Sequence, residues 1–267
     1  MTRKPFCALA MVKDEGIFMP FWLKHYTKYF APEDLYVHSD ESTDSTEEQV
    51  RAAGVNFVPV LPGSMPVMKN DRYIKGVIEQ LLGKYEAVLF AESPDDIIVP
   101  GPAHDYDLGK YMADFVRSKE PYRFLTGINI MEREGEAAYD PAKGNLIAQR
   151  STAIRCPQYD NPFLWSIKPL WGRGWHDLGQ GRLEGYGDKQ GEDKRLYNLH
   201  IHYADFGLAN ARHHVRLLTY NTYQQQAYSA RVDQDLRNVM NEMISRPKYW
   251  FSNGQVIPIE DWMKAVI

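Results

Sequence analysis

Two runs of oxygen-bearing side chains stand out in the chain, Asp40-Glu41-Ser42-Thr43-Asp44 and Glu92-Ser93-Pro94-Asp95-Asp96. Paired carboxylates such as Asp95 and Asp96 suit hard Mg²⁺ or Mn²⁺, which take oxygen ligands and bridge to a diphosphate. A third ionisable group, Lys13-Asp14-Glu15, directly follows an apolar run. Late in the chain, His200 and His202 alternate with apolar residues, which puts both imidazoles on one face of a strand. Arg212 and Arg216 lie one helical turn apart and would reach a diphosphate together. Lys69, near a helix start, would attract phosphate in the same way as the helix terminus itself.

The elements that must position these groups are legible from periodicity. Residues 6–12 form a continuous apolar run bounded by charge, as a buried parallel strand requires. Over residues 17–30 the residues Phe18, Phe21, Trp22, Tyr26 and Tyr29 recur at helical spacing and predict a crossover helix with a core-facing stripe. Strands are expected near 35–39, 55–61 and 86–90, with helices over 46–53 and 69–82 between them. This alternation is a mononucleotide-binding α/β half, and it sets the acidic runs at 40–44 and 92–96 at the carboxyl ends of two strands, where such sheets hold ligands. No glycine-rich phosphate loop follows the first strand, so phosphate would be met by a cation. Beyond residue 102 the pattern predicts a helix over 106–117, a strand over 122–130, a mobile excursion over 131–145 and a strand over 199–205. A helix over 206–218 and a helical tail follow.

At 267 residues the chain suffices for a substantial core. The organisation expected is one catalytic domain over 1–219, with a nucleotide-binding half (1–103) and an acceptor-side half (104–219), and a helical extension over 220–267. With 31 basic against 35 acidic residues there is no nucleic-acid footprint. Two cysteines make neither a disulfide framework nor a zinc site and suit a cytoplasmic protein. The early apolar run is too short for a signal peptide or a membrane span.

The residues also carry a family resemblance. Ala10-Met11-Val12-Lys13-Asp14-Glu15, Trp22-Leu23-Lys24-His25-Tyr26 and Asp40-Glu41-Ser42-Thr43-Asp44 resemble the opening of family-2-type glycosyltransferases. The branch is the one with a Lys-Asn-Glu start and an Asp-x-Asp-Glu motif. Asp95-Asp96 with Ile97-Ile98-Val99-Pro100 resembles that motif and its apolar exit, and His200-Ile201-His202-Tyr203 with Ala211-Arg212-His213 resembles the late His-x-His and Arg-His elements.

The resemblance implies an α/β, GT-A-like, Rossmann-type mixed sheet flanked by helices. It implies a nucleotide-sugar donor, UDP-linked, and a divalent metal, Mn²⁺ or Mg²⁺. The acceptor would be a glycan or a lipid-linked hydroxyl, the latter bringing peripheral membrane contact. Asp40 would contact the base or ribose, with Lys13, Asp14, Glu15 and Asp44 in the same pocket. Asp95 or Asp96 would hold the metal, with His200 or His202 as a further ligand. Glu92 either replaces the motif's first Asp or that ligand is lost. An inverting transfer also needs a general base. The candidates are Asp177, beside His176 in an aromatic segment, and Glu192. Two other readings stand beside this one, a nucleotidyltransferase or pyrophosphorylase and a non-catalytic carbohydrate-binding relative.

Overall fold

The computed structural model describes residues 3–60, 71–161, 163–170, 195–219, 232–251 and 253–266. Among them are two mixed sheets with helices packed on them. In the first, β1 (Lys4–Val12) lies between β2 (Leu35–Ser39) and β4 (Tyr85–Phe90), and β3 (Asn56–Pro59) pairs outside β2, all four parallel. Every β1 residue from Cys7 to Val12 is buried, as a central strand covered on both faces must be. Helix α1 (Met19–Tyr26) covers this sheet with Trp22 and Tyr26, and α2 (Thr46–Ala52) and α3 (Asp71–Leu82) supply the next two crossovers.

The second sheet begins where the acidic run ends. Residues Asp96–Pro100, whose apolar part resembles the exit of the acidic motif, form β5. Helix α4 (Leu108–Ser118) follows, started by Asp107, whose side chain accepts from Lys110 N. The strand expected over 122–130 is two strands, β6 (Tyr122–Arg123) in the first sheet and β7 (Leu125–Met131) in the second. Strand β8 (Thr152–Arg155) pairs with β7, and β9 (Leu164–Trp165) lies in the first sheet between β4 and β6, antiparallel to both. Strand β10 (Leu196–His200) runs parallel to β7 and antiparallel to β5.

β5 lies at an edge of its sheet, and α1 supplies the partners its backbone lacks there. Tyr26 Oη donates to Asp96 O (2.9 Å) and accepts from Ile98 N (3.2 Å), while His25 Nε2 donates to Ile98 O (2.9 Å). Burial holds the His25 imidazole neutral, down to about 4, consistent with that single-donor role. The helix thus joins the two sheets.

One expectation is corrected and another is extended. The excursion over 131–145 is tied down: Tyr139 N donates to Asp205 (2.6 Å), Asp140 N to Gln149 (3.0 Å) and Arg150 to Ala137 O (3.0 Å). The described tail is mostly helical, with helices Asp233–Ser245, Pro247–Trp250 and Asp261–Lys264, and it adds strand β11 (Gln255–Pro258), which pairs antiparallel with β8 and ends the second sheet. No helix among the described residues is long and apolar enough to cross a membrane.

Candidate functional site

Because β1, β2 and β4 are parallel, Lys13–Glu15, Asp40 and Glu92–Asp95 all leave the sheet along one edge. The second sheet delivers to the same edge. Asp96 at the start of β5 pairs with His200 at the end of β10, and His200 pairs with Asn129 on β7.

The strand expected over 199–205 ends at His200, and the chain turns through 201–204. The two imidazoles still share a side, stacked with centroids 5.8 Å apart at 8°. Helix α5 (Phe206–Thr219) starts here, fixed by carboxylates on its first amides. Asp205 accepts from Leu208 N (2.9 Å) and Glu132 from Phe206 N (2.7 Å), each also held by an arginine, buried Arg150 on Asp205 at 3.0 Å and half-buried Arg237 on Glu132 at 2.8 Å.

That anchoring brings Arg212, fully buried, into the middle of the edge. Its guanidinium donates to Glu15 Oε1 (2.6 Å), Asp95 Oδ2 (2.6 Å) and Ser93 Oγ (2.8 Å), and Nη1 also hydrogen-bonds His202 Nδ1. Phe18 packs beneath it, 5.1 Å from ring centroid to guanidinium carbon. Arg216, one turn further, reaches the same Glu15 oxygen at 2.8 Å. His202 Nε2 meets His213 Nε2 at 2.8 Å. Since Arg212 donates into Nδ1 of His202, the proton of a neutral His202 sits on Nε2 and points at His213.

The electrostatics follow from these contacts. Burial opposes the Asp95 charge, but Arg212 and His200 outweigh it and hold its carboxyl well below the usual range. Burial and the Arg212 charge keep His202 neutral. For His200, burial is outweighed by Asp95, whose Oδ2 lies 3.1 Å from Nε2, and its pKa rises. Burial pushes Asp96 up to about 6.

His200 and Asp96 both bind a proton more readily folded than unfolded. Their contribution is complete below the unfolded values and is lost as pH rises through the folded ones. Asp95 has the opposite sign, but its window lies below the ordinary carboxylate range. His25 and His38, both lowered to about 4 by burial, and His202, lowered by burial and Arg212, also have that opposite sign, and their contribution is lost as pH falls below the unfolded imidazole value. Three such histidines outweigh the two raised groups, so the fold is expected to be roughly 1–3 kcal/mol less stable near about pH 5 than near about pH 8. Urea midpoints at the two pH values check this, and His200→Gln, which removes a group stabilising the fold at low pH, should widen the difference.

A cavity of about 300 Å³ opens on this cluster, with Glu92, Asp95, Asp96, His200, His202 and Arg216 in its wall. The structure thus brings together Glu15, Glu92, Asp95, Asp96, His200, His202 and Arg212 from the residues expected. Others have different duties. Asp14 accepts from Thr43 N (2.7 Å), and Asp44 accepts from Gly16 N (2.7 Å) and Thr46 N (3.0 Å), so these carboxylates stitch the loop after β1 to the loop after β2. Lys13 Nζ donates to Asp40 O (3.1 Å), and Asp40 stands on the same sheet edge but not in the cavity wall. Lys69, His176, Asp177 and Glu192 lie outside the described residues.

Sequence reasoning missed Tyr159, which stacks on His200 (5.1 Å, 20°) from a short turn after β8 that carries no motif. Asn198 was also missed. It donates to Asp96 at 2.7 Å, and its place two residues before His200 on the same strand face was the available signal.

The metal expectation meets this geometry directly. Asp95 Oδ2 and His202 Nδ1 are 3.2 Å apart, and Arg212 Nη1 hydrogen-bonds both. Among the described residues no group of three or more His, Cys, Asp or Glu side chains is placed to hold a metal ion. The Asp95–His202 pair does not fit Mn²⁺ or Mg²⁺ as it stands, because the Arg212 guanidinium engages both side chains.

No family model matches the chain, and no curated protein matches it. Among solved structures, the chain is similar to a cytidylyltransferase from Leptospira borgpetersenii, at 11% identity over 46% of this chain and 54% of that one, with a TM-score of 0.33. It is similar to glucosyl-3-phosphoglycerate synthase from Mycobacterium tuberculosis in complex with Mn²⁺, UDP and glucosyl-3-phosphoglycerate, at 15% identity over 49% and 45%, with a TM-score of 0.31. It is also similar to TarS of S. aureus in complex with UDP, at 14% identity over 92% and 73%, with a TM-score of 0.43. The matched region spans about half the length of the first two.

Proposed function

We propose that the chain is a nucleotide-sugar glycosyltransferase of the family-2 type with GT-A architecture, moving a sugar from a nucleoside diphosphate to a hydroxyl of a glycan or lipid-linked acceptor with inversion. The observation that carries this reading is the cationic pair Arg212 and Arg216 on one buried carboxylate, facing a polar cavity at the carboxyl ends of parallel strands. In such a transfer the acceptor oxygen bonds to the anomeric carbon while the bond to the diphosphate breaks, and its electron pair leaves with the phosphate. The departing group gains charge, and fixed cations beside it lower the barrier. The acceptor's proton passes to a carboxylate, for which Asp177, beside His176, and Glu192 are the candidates. Asp40 and Lys13, further along the edge, suit the base and ribose of a uridine donor.

A thermal-shift panel of nucleoside diphosphates and their sugars tests the reading. A ligand at about 100 times its Kd adds about 2.7 kcal/mol, which is a rise in Tm of about 5 °C or more for a chain of this length. Arg216→Ala should weaken that ligand by about 10- to 100-fold, the loss of one charged hydrogen bond. No shift with any nucleotide, or release of pyrophosphate from a nucleoside triphosphate and a sugar phosphate, would overturn it.

A further inference from the structure

We infer that Arg212 stands in the cation position of this site, so that the chain holds the diphosphate without a divalent metal. The inference rests on the transferase reading for the ligand's identity, but its geometry is independent of it. Two imidazole nitrogens lie beside Asp95 Oδ2, His202 Nδ1 at 3.2 Å and His200 Nε2 at 3.1 Å, so a cation joining this carboxylate to an imidazole must take that oxygen. Arg212 Nη1 already hydrogen-bonds that oxygen, at 2.6 Å, and His202 Nδ1. The second Asp95 oxygen faces Nη2 of the same guanidinium at 3.2 Å.

The arrangement is built rather than incidental. Glu15 Oε1 accepts from Nε (3.1 Å) and Nη2 (2.6 Å) of Arg212, and the Phe18 ring stacks with His202 at 6.0 Å and 16° while lying against the guanidinium. With His202 neutral, its Nδ1 lone pair is directed at Arg212. Asp96, the neighbouring carboxylate, is also engaged: it accepts from Asn198 Nδ2 (2.7 Å) and Ser93 N (3.1 Å). A dication brought here would meet a fixed guanidinium inside hydrogen-bonding distance of Asp95 and His202. Arg212 therefore acts as a positioning residue that carries the positive charge, and Arg216 in the cavity wall faces the phosphate.

Two measurements decide it. In the first, Mn²⁺ alone is titrated into the chain and free ion is followed by electron paramagnetic resonance. The wild type is expected to take up no Mn²⁺ that Asp95→Asn abolishes. One-to-one uptake lost in Asp95→Asn would overturn the inference. Arg212→Ala, if it folds, should gain such uptake, and Arg212→Lys serves where the alanine variant does not fold, because a single ammonium cannot span both ligands and should admit weak uptake. Failure of every folded Arg212 variant to gain it would also overturn the inference. In the second, binding of the diphosphate panel is compared with chelator and with Mn²⁺. Affinities within about twofold of each other are expected, and a loss of about tenfold or more on chelation would overturn the inference. If no diphosphate binds under either condition, the transferase reading falls, and the Mn²⁺ titration still decides what occupies the Asp95–His202 gap.

Discussion

Arg212→Ala is expected to destabilise the fold by about 3–5 kcal/mol, the usual result of removing one partner from a buried ion cluster. Glu15 and Asp95 are both buried, at 1% exposure, and Arg212 is the cation on each. Its removal leaves Glu15 with Arg216 at 2.8 Å, while among the described residues Asp95 keeps the imidazoles of His200 at 3.1 Å and His202 at 3.2 Å. The guanidinium also makes hydrogen bonds to Ser93 and His202 that alanine cannot replace. Urea unfolding measures the loss. Adding Asp95→Asn should recover part of it, since a neutral amide removes the stranded charge. A drop below about 1 kcal/mol would show that the cluster is solvated, as exposed pairs are.

Gly127→Ala is the second large effect. A Cβ on Gly127, in β7, would stand 2.3 Å from Tyr159 Cβ, 2.7 Å from Cys156 O and 2.9 Å from the Tyr159 carbonyl carbon. Two of those atoms are backbone, so the turn after β8 must move as a unit. Overpacking of this kind costs about 1–3 kcal/mol or more. The functional consequence is specific, because Tyr159 is the ring stacked on His200. The variant should therefore shift the His200 ring resonances and its pKa, and lower ligand affinity, beyond what its melting temperature alone explains. Unchanged His200 resonances in a destabilised variant would refute the link.

Much of the first sheet was legible because its signals are local. Apolar runs bounded by charge gave β1 and β4, the Phe18-Trp22-Tyr26 stripe gave the buried face of α1, and Ser-Thr-Asp clusters marked the loops at the sheet edge. The second sheet was harder because its strands are short and non-local. β5 follows an acidic motif and owes its place to pairing with β10 about a hundred residues later, and β11 is a four-residue strand inside a helical tail. At the site, residue types were readable but duties were not. Asp14 and Asp44 look like ligand carboxylates in one dimension and prove to be acceptors for neighbouring backbone amides. Arg212 resembled a phosphate contact, and nothing in its spacing revealed that it would lie between Asp95 and His202.

The Glu15 carboxylate waits for counterions that are 197 and 201 positions further along the polypeptide. During synthesis Glu15 and Asp95, both destined for the interior, emerge more than a hundred residues ahead of Arg212, the cation they share. A fragment ending before α5 should therefore remain loosely collapsed at neutral pH and tighten on acidification or on adding a peptide spanning residues 206–219. The charge couple ties the earliest crossover to the last third of the chain, so the site and the complete tertiary structure are expected to melt as a single cooperative unit.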